Sequence, residues 1–291
     1  MKSGFLVIDK APGFTSHDVV AIARKALGER RVGHAGTLDP FATGVLVLGV
    51  GNGTRLLQYI TDGTKSYQAI IRLGSATATD DFTGEVISQN LAALKDLADQ
   101  AIVEKLREQV GEIYQRPSTY SAIKVDGKRA YERARAGEDV QLRERRVSVY
   151  SLTVVAIERS ESAIDVSIEV TCSAGTYIRS IARDLGEALA VGGHLIQLRR
   201  VTVAPFSIDD AISIDQLREN FRLLTLEDVI ERIFAKRTLS DIEVASVSHG
   251  RSIELLAEQS GKSAAFTPEG KFIALLAEKS GRAQPILVLN S

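Results

Sequence analysis

A chain of 291 residues, 44% apolar and 25% charged, has the make-up of a soluble globular protein with one large domain and a smaller one. No apolar run approaches the roughly 18 residues of a membrane span, and the opening Met1-Lys2-Ser3-Gly4 with Phe5-Leu6-Val7-Ile8-Asp9-Lys10 is too short and too soon charged for a secretion signal, so a cytoplasmic location is expected. The single cysteine, Cys172, excludes an intrachain disulfide; His17, His34, His194 and His249 lack zinc-ligand spacing, so no metal or redox cofactor is expected; and a net charge of −1 leaves any nucleic-acid binding to local clusters.

In chain order, residues 5–9 predict a short buried strand, and Lys10-Ala11-Pro12-Gly13 a turn. Thr15-Ser16-His17-Asp18 offers capping chemistry for a helix whose apolar residues run from Val19 to Leu27, with Gly28 as the stop. Residues 45–50 and 66–73 read as strands, joined by a segment containing Arg55-Leu56-Leu57-Gln58-Tyr59-Ile60. Residues 91–110 carry a helical pattern through Leu91, Leu94, Ala98, Ile102 and Leu106. From Tyr114 to Val140 the chain turns basic and rich in turn residues, predicting a long excursion with a helical part around Arg129–Arg135. Strands follow over 147–157 and 163–172, then a helix from Thr176 to Ala190. Residues 214–237 read as helical and connecting, and the tail as a small β-rich module with strands over 272–276 and 285–289. Basic residues gather at Lys124, Lys128, Arg129, Arg133 and Arg135, at Arg143, Arg145 and Arg146, and at Arg199 and Arg200; together they suggest a basic groove, although any one run suits a solvated face.

The most distinctive stretch is Arg31-Val32-Gly33-His34-Ala35-Gly36-Thr37-Leu38-Asp39-Pro40-Phe41-Ala42-Thr43-Gly44. Pro40 restricts Asp39 to extended backbone, and the glycines let other groups approach closely. A carboxylate held that way can serve as nucleophile or base. Read alone, Asp-Pro is a turn, Tyr67 is sheet packing, Arg179 is a surface helix arginine, Leu198 is core and His34 is structural.

Gly36-Thr37-Leu38-Asp39-Pro40 with Ala42-Thr43-Gly44 resembles the catalytic motif of the TruB family of pseudouridine synthases. The resemblance continues through Asp9-Lys10 to Ser16, Lys65-Ser66-Tyr67, Tyr120-Ser121-Ala122-Ile123-Lys124, Gly127-Lys128-Arg129-Ala130-Tyr131, Gly175-Thr176-Tyr177-Ile178-Arg179 and Leu198-Arg199-Arg200, in the family's order over roughly residues 4–205. One departure is Ala11 ahead of Pro12, where the family usually has proline directly after Asp-Lys. The resemblance implies isomerisation of uridine 55 in the T loop of tRNA by a base-flipping mechanism that needs no cofactor. It implies Asp39 as the catalytic carboxylate, Arg179 as its charge partner and Tyr67 as the ring stacked on the uracil. Tyr177 and Leu198 would line the pocket, and His34 would pack among displaced loop bases. Asp81 matches an acidic position of undefined role. The segment 115–143 would be an RNA-gripping thumb, with Lys124, Lys128 and Arg129 on phosphates.

The expected fold is α+β: a mixed, largely antiparallel sheet flanked by helices, with the thumb insertion and a small C-terminal β-rich, PUA-like domain. Domains are expected at 1–232 and 233–291, acting as a monomer on tRNA with no membrane and no required protein partner. Two alternatives stand beside this reading: a guide-RNA-dependent synthase working inside a ribonucleoprotein, and an RNA-binding chaperone without catalysis. A carboxylate-based hydrolase lacks the paired acids or metal ligands for water activation.

Overall fold

The computed structural model describes residues 2–121, 123–125, 127–138, 140–256 and 261–289. Ala122 of the Tyr120–Lys124 block, with Asp126 and Asp139 of the basic excursion, lies outside the described residues. The principal sheet runs, edge to edge, through Ile212–Ser213, Gly4–Lys10, Thr43–Val50, Gly193–Val203, Lys65–Leu73, Ile164–Cys172, Arg145–Arg159 and Gly111–Gln115. Two short strands join it from the side: Val32–Ala35 on Thr43–Val50, and Phe206–Ser207 on Gly193–Val203. Most neighbours are antiparallel, so the sheet is mixed and largely antiparallel within an α+β fold. The strands Thr43–Val50 and Gly193–Val203 instead meet in parallel, in register only at Arg199 with Thr43 and Arg200 with Gly44. Those two pairs stand at the start of Thr43–Val50, so the Asp39 loop, which feeds into Thr43, leads directly into the point where the two strands meet.

Side-chain alternation divides the sheet between two cores. Leu6 and Ile8 face a cluster with the helices Ser16–Leu27, Asp99–Arg107 and Ile178–Ala188. Phe5 and Val7 face the opposite side, where Leu56, Ile60, Phe206, Val229 and Ile230 meet Phe266, Phe272 and Leu275 of a second sheet. Each such fully buried side chain contributes roughly 1.5–3 kcal/mol of transfer free energy. The second sheet has five strands, ordered Ala235–Thr238, Lys262–Phe266, Phe272–Lys279, Arg282–Val288 and Ile253–Glu254. It also has its own cluster around Leu239, Val247 and Ile273. Polar contacts tie it to the body: Arg55 donates to the Val288 carbonyl at 2.7 Å, and the Phe272 amide donates to Glu227 at 3.1 Å.

The helix Ser16–Leu27 starts at Thr15, which shares a capping box with Asp18, and stops at Gly28 with φ 64°. Such a cap is worth about 1 kcal/mol. The helical pattern over 91–110 is interrupted: Ala98 is extended and the α-helix spans only Asp99–Arg107, after a single 3₁₀ turn at Ala92–Leu94. At the break the Arg159 guanidinium donates to the Leu97 carbonyl at 2.6 Å and pairs with Asp99. The tail is less purely β than expected, because Asp241–Ser248 is a helix capped by Ser240 and Glu243.

Candidate active site

The Asp39 loop is fastened from several sides. Ser16 Oγ donates to the Leu38 carbonyl at 3.2 Å and accepts from the Leu38 amide at 2.9 Å. The ammonium of Lys10, fully buried, donates to the Pro40 carbonyl at 3.2 Å and to those of Phe14 and Ala11. Arg200 reaches the Gly36 carbonyl at 3.1 Å, the Thr37 carbonyl at 3.4 Å and Val45 at 2.8 Å. Gly44 has φ 99°, and a Cβ there would stand 2.2 Å from the Arg200 carbonyl, so only glycine lets the two strands meet. Desolvation lowers the pKa of Lys10 to about 8, with the Asp39 charge opposing it. The result is a carboxyl group whose backbone is held on both flanks.

Arg179, in the first turn of Ile178–Ala188, closes a fork on that carboxylate: Nε to Oδ2 at 2.9 Å and Nη2 to Oδ1 at 3.1 Å. Its remaining N–H groups go to the Thr79 carbonyl at 2.9 Å, Ser118 Oγ at 3.1 Å and the Tyr120 carbonyl at 3.0 Å, so the four Nη donors hydrogen-bond and Nε meets the carboxylate as an ion pair. The side chain is 4% exposed, against 31% for Asp39. Arg179 is therefore a buried positioning group rather than a surface helix arginine. Asp81, also buried, stands 3.7 Å from Nη1. Its Oδ1 accepts from Thr79 Oγ1 at 2.8 Å and from the Thr83 amide at 3.0 Å. Burial raises the Asp39 pKa and the Asp81 charge adds to this, while the guanidinium acts against both. Asp39 Oδ1 accepts a charge-assisted hydrogen bond from Nη2 and Oδ2 is in ion-pair contact with Nε, an arrangement that suits the ionised form.

Asp39 borders two cavities. The first, about 280 Å³, is walled by Tyr67, Tyr177, Leu198, Lys65 and Arg200 and lies just below the roughly 300–1,000 Å³ of drug-sized ligand sites. Strand register brings these walls together, with Tyr67 opposite Arg200 and Ala69 opposite Leu198. Tyr177 is fixed by Gln115, which accepts from its amide at 2.8 Å and donates to its carbonyl at 3.0 Å. Burial raises the pKa of both phenols, so the rings present neutral faces. The second cavity, about 550 Å³, is bounded by His17, Phe41, Thr83, Tyr120, Arg129 and Tyr131.

Tyr67, Tyr177, Leu198, Arg179 and Asp39 thus converge on one cavity. His34 lines neither; it stands behind His17, ring edge to ring face at 5.5 Å, and His17 borders the second cavity. Desolvation lowers the pKa of His34 to about 4, with His17 and Arg200 acting the same way, and its Nδ1 has no hydrogen-bond partner among the described residues. Arg129 borders the second cavity, while Lys124 and Lys128 sit exposed on the hairpin formed by Lys124–Val125 and Lys128–Arg129. Ala130, Val140 and Leu142 give this excursion a small core of its own. Of the basic pair, Arg199 is ion-paired with Asp9 at 2.8 Å, and Arg200, 1% exposed, borders the first cavity while its guanidinium holds loop carbonyls. Lys65 also escaped the sequence reading as a pocket group; its ammonium is spent on the Thr61 and Gly63 carbonyls. Strand alternation placing Leu198 and Arg200 on one face was the available signal.

Among proteins of known family, residues 24–178 match the model described as TruB family pseudouridylate synthase (N terminal domain), and residues 234–290 match that described as tRNA Pseudouridine synthase II, C terminal. The tRNA pseudouridine synthase B of Arthrobacter sp. (strain FB24) is 47% identical, covering 99% of this chain and 97% of its own. That of Thermobifida fusca (strain YX) is also 47% identical, covering 99% of both. Among solved structures, a Cbf5-Nop10-Gar1 complex superposes with a TM-score of 0.71 at 28% identity, covering 99% of this chain and 84% of the other. An H/ACA RNP bound to a substrate RNA gives 0.70 at 26%, covering 98% and 84%. With a matched fold, a matched order of motifs and relatives aligned end to end, this chain belongs to the TruB family of pseudouridylate synthases.

Proposed function

We propose that the chain converts a uridine of tRNA, uridine 55 of the T loop, to pseudouridine, acting in the cytoplasm as a monomer that needs no guide RNA, protein partner or cofactor. One observation carries this: the Asp39 carboxylate, forked by a buried arginine, opens on a nucleoside-sized cavity walled by Tyr67. The reaction breaks the C1′–N1 bond and joins C1′ to C5 within one nucleotide. The hydrogen on C5 leaves and N1 gains one, so atoms balance without a co-reactant.

The target base leaves its stack and enters the first cavity. Tyr67 stacks on it, a contact worth about 1–3 kcal/mol, and Tyr177 and Leu198 bound its other sides. Asp39 is the catalytic group that triggers glycosidic cleavage. Arg179 keeps it charged and aimed, and Asp81 stiffens that guanidinium from behind. His34, neutral at physiological pH, packs among the loop bases the target leaves behind. Lys124, Lys128 and Arg129 hold phosphates, positioning the RNA without reading its sequence. The end-to-end relatives named tRNA pseudouridine synthase B favour free tRNA as substrate over a guided ribonucleoprotein target, which the solved structures favour only at 26–28% identity.

The test is incubation of purified chain alone with an unmodified tRNA transcript tritiated at uridine C5. Release of tritium to water is expected; none from folded protein would reject the reading and leave RNA binding alone.

Two further results follow from the geometry. The working form of Asp39 is ionised and burial raises its pKa, so kcat/KM falls with decreasing pH at a point above the ordinary carboxylate range. Asp81→Asn removes a like charge and moves that acid limb to lower pH; a limb that stays put or moves up contradicts the assignment. Replacing Lys128 and Arg129 together by alanine weakens RNA binding and reduces the slope of log K against log[salt] by about 2. An unchanged slope would remove them from the phosphate contacts.

A further inference from the structure

The residues common to both cavities are Thr37, Leu38, Asp39, Ser121 and Arg179. They stand between the two cavities, the second of which is bordered by Arg129 and Arg135 of the basic excursion. Asp39 and Arg179 are committed to each other, and Leu38 is apolar. Ser121 is different. It is 3% exposed, its Oγ is buried, and that oxygen has no hydrogen-bond partner among the described residues. The Tyr177 phenol is near enough for Ser121 to oppose the rise in its pKa, yet no hydrogen bond closes between them. The backbone around Ser121 is fixed on both sides: its carbonyl accepts from the Tyr131 amide at 3.1 Å, and the preceding carbonyl accepts from Arg179 at 3.0 Å.

A buried hydroxyl without a partner costs roughly 1–3 kcal/mol. With the backbone held, rotation about the Cα–Cβ bond is the movement that turns the hydroxyl toward one of the two cavities this residue borders, where a ligand oxygen can meet it. The first cavity takes the base, and the basic excursion approaches from the second. What lies between them is the sugar and phosphate of the target nucleotide. We infer that the Ser121 hydroxyl completes its hydrogen bonding on the ribose–phosphate of the extruded uridine, seating C1′ beside Asp39. This rests on the isomerase reading above and adds a positioning residue to it.

The experiment uses the full chain and Ser121→Ala, with T-arm hairpins carrying either ribose or 2′-deoxyribose at the target uridine. Expected are an unchanged or higher Tm, since an unsatisfied group is removed, together with affinity and kcat/KM lower by several-fold to about tenfold on the ribose hairpin. Loss of the affinity penalty on the deoxy hairpin assigns the 2′-hydroxyl; its persistence there assigns a phosphate oxygen. Wild-type affinity and kinetics in the variant overturn the inference, and so does a lowered Tm with affinity unchanged, which would make Ser121 a structural partner of Tyr177. Turnover by the wild type on the same hairpin keeps the two questions apart, because its absence would fault the isomerase reading rather than Ser121.

Discussion

Asp39→Asn is expected to bind tRNA within a few-fold of the wild type and to yield no measurable pseudouridine under multiple turnover, leaving at most a residual single-turnover rate. The substitution keeps the size of the side chain and the loop that Ser16, Lys10 and Arg200 hold, so the cavity stays assembled. What disappears is the charge. The residual rate also reports the chemistry: removing a proton carrier costs typically 10²–10⁴-fold, whereas removing an attacking nucleophile can cost on the order of 10⁶-fold. Single-turnover measurement at saturating enzyme separates the two. A variant that binds poorly and turns over well would reverse the assignment.

Arg179→Ala loses both activity and stability. Asp39 and Asp81 would face each other without the guanidinium, and Ser118 Oγ with the Thr79 and Tyr120 carbonyls would lose their donor. Removing one side of a buried ion pair costs roughly 3–5 kcal/mol, which lowers Tm by several degrees in a chain of this size. Arg179→Lys restores a charge but cannot fill five donor positions, so its Tm falls between the two. Thermal unfolding followed by circular dichroism reads this directly, and an alanine variant melting with the wild type would show that the cluster carries no such strain.

Local chemistry decided which parts of this molecule were legible in advance. The first helix declares its ends through Thr15, Asp18 and Gly28 because capping is a matter of a few neighbouring residues. The strands over 45–50 and 66–73 are visible as apolar runs, and their observed limits, Thr43–Val50 and Lys65–Leu73, differ little. The break near Ala98 was not visible, and the arginine that meets the chain there, Arg159, comes from far along the sequence. The same holds at the site. The Asp39 loop announces itself by its glycines and proline, and the family resemblance supplied Tyr67 and Arg179. That Arg179 is buried with its four Nη donors hydrogen-bonded, that Asp81 faces it, and that Arg200 spends its charge on loop carbonyls are facts of tertiary approach. Charge clusters in a sequence do not separate a cation that meets phosphate from one that braces a turn.

Position-resolved detection of pseudouridine in a bare tRNA transcript, after parallel incubation with the wild-type chain and Asp39→Asn, tests the central claim most directly. One modified uridine, at position 55 of the T loop, from the wild type and none from the variant is the predicted result. Equal modification by both proteins, or none by a folded wild-type chain, would contradict it.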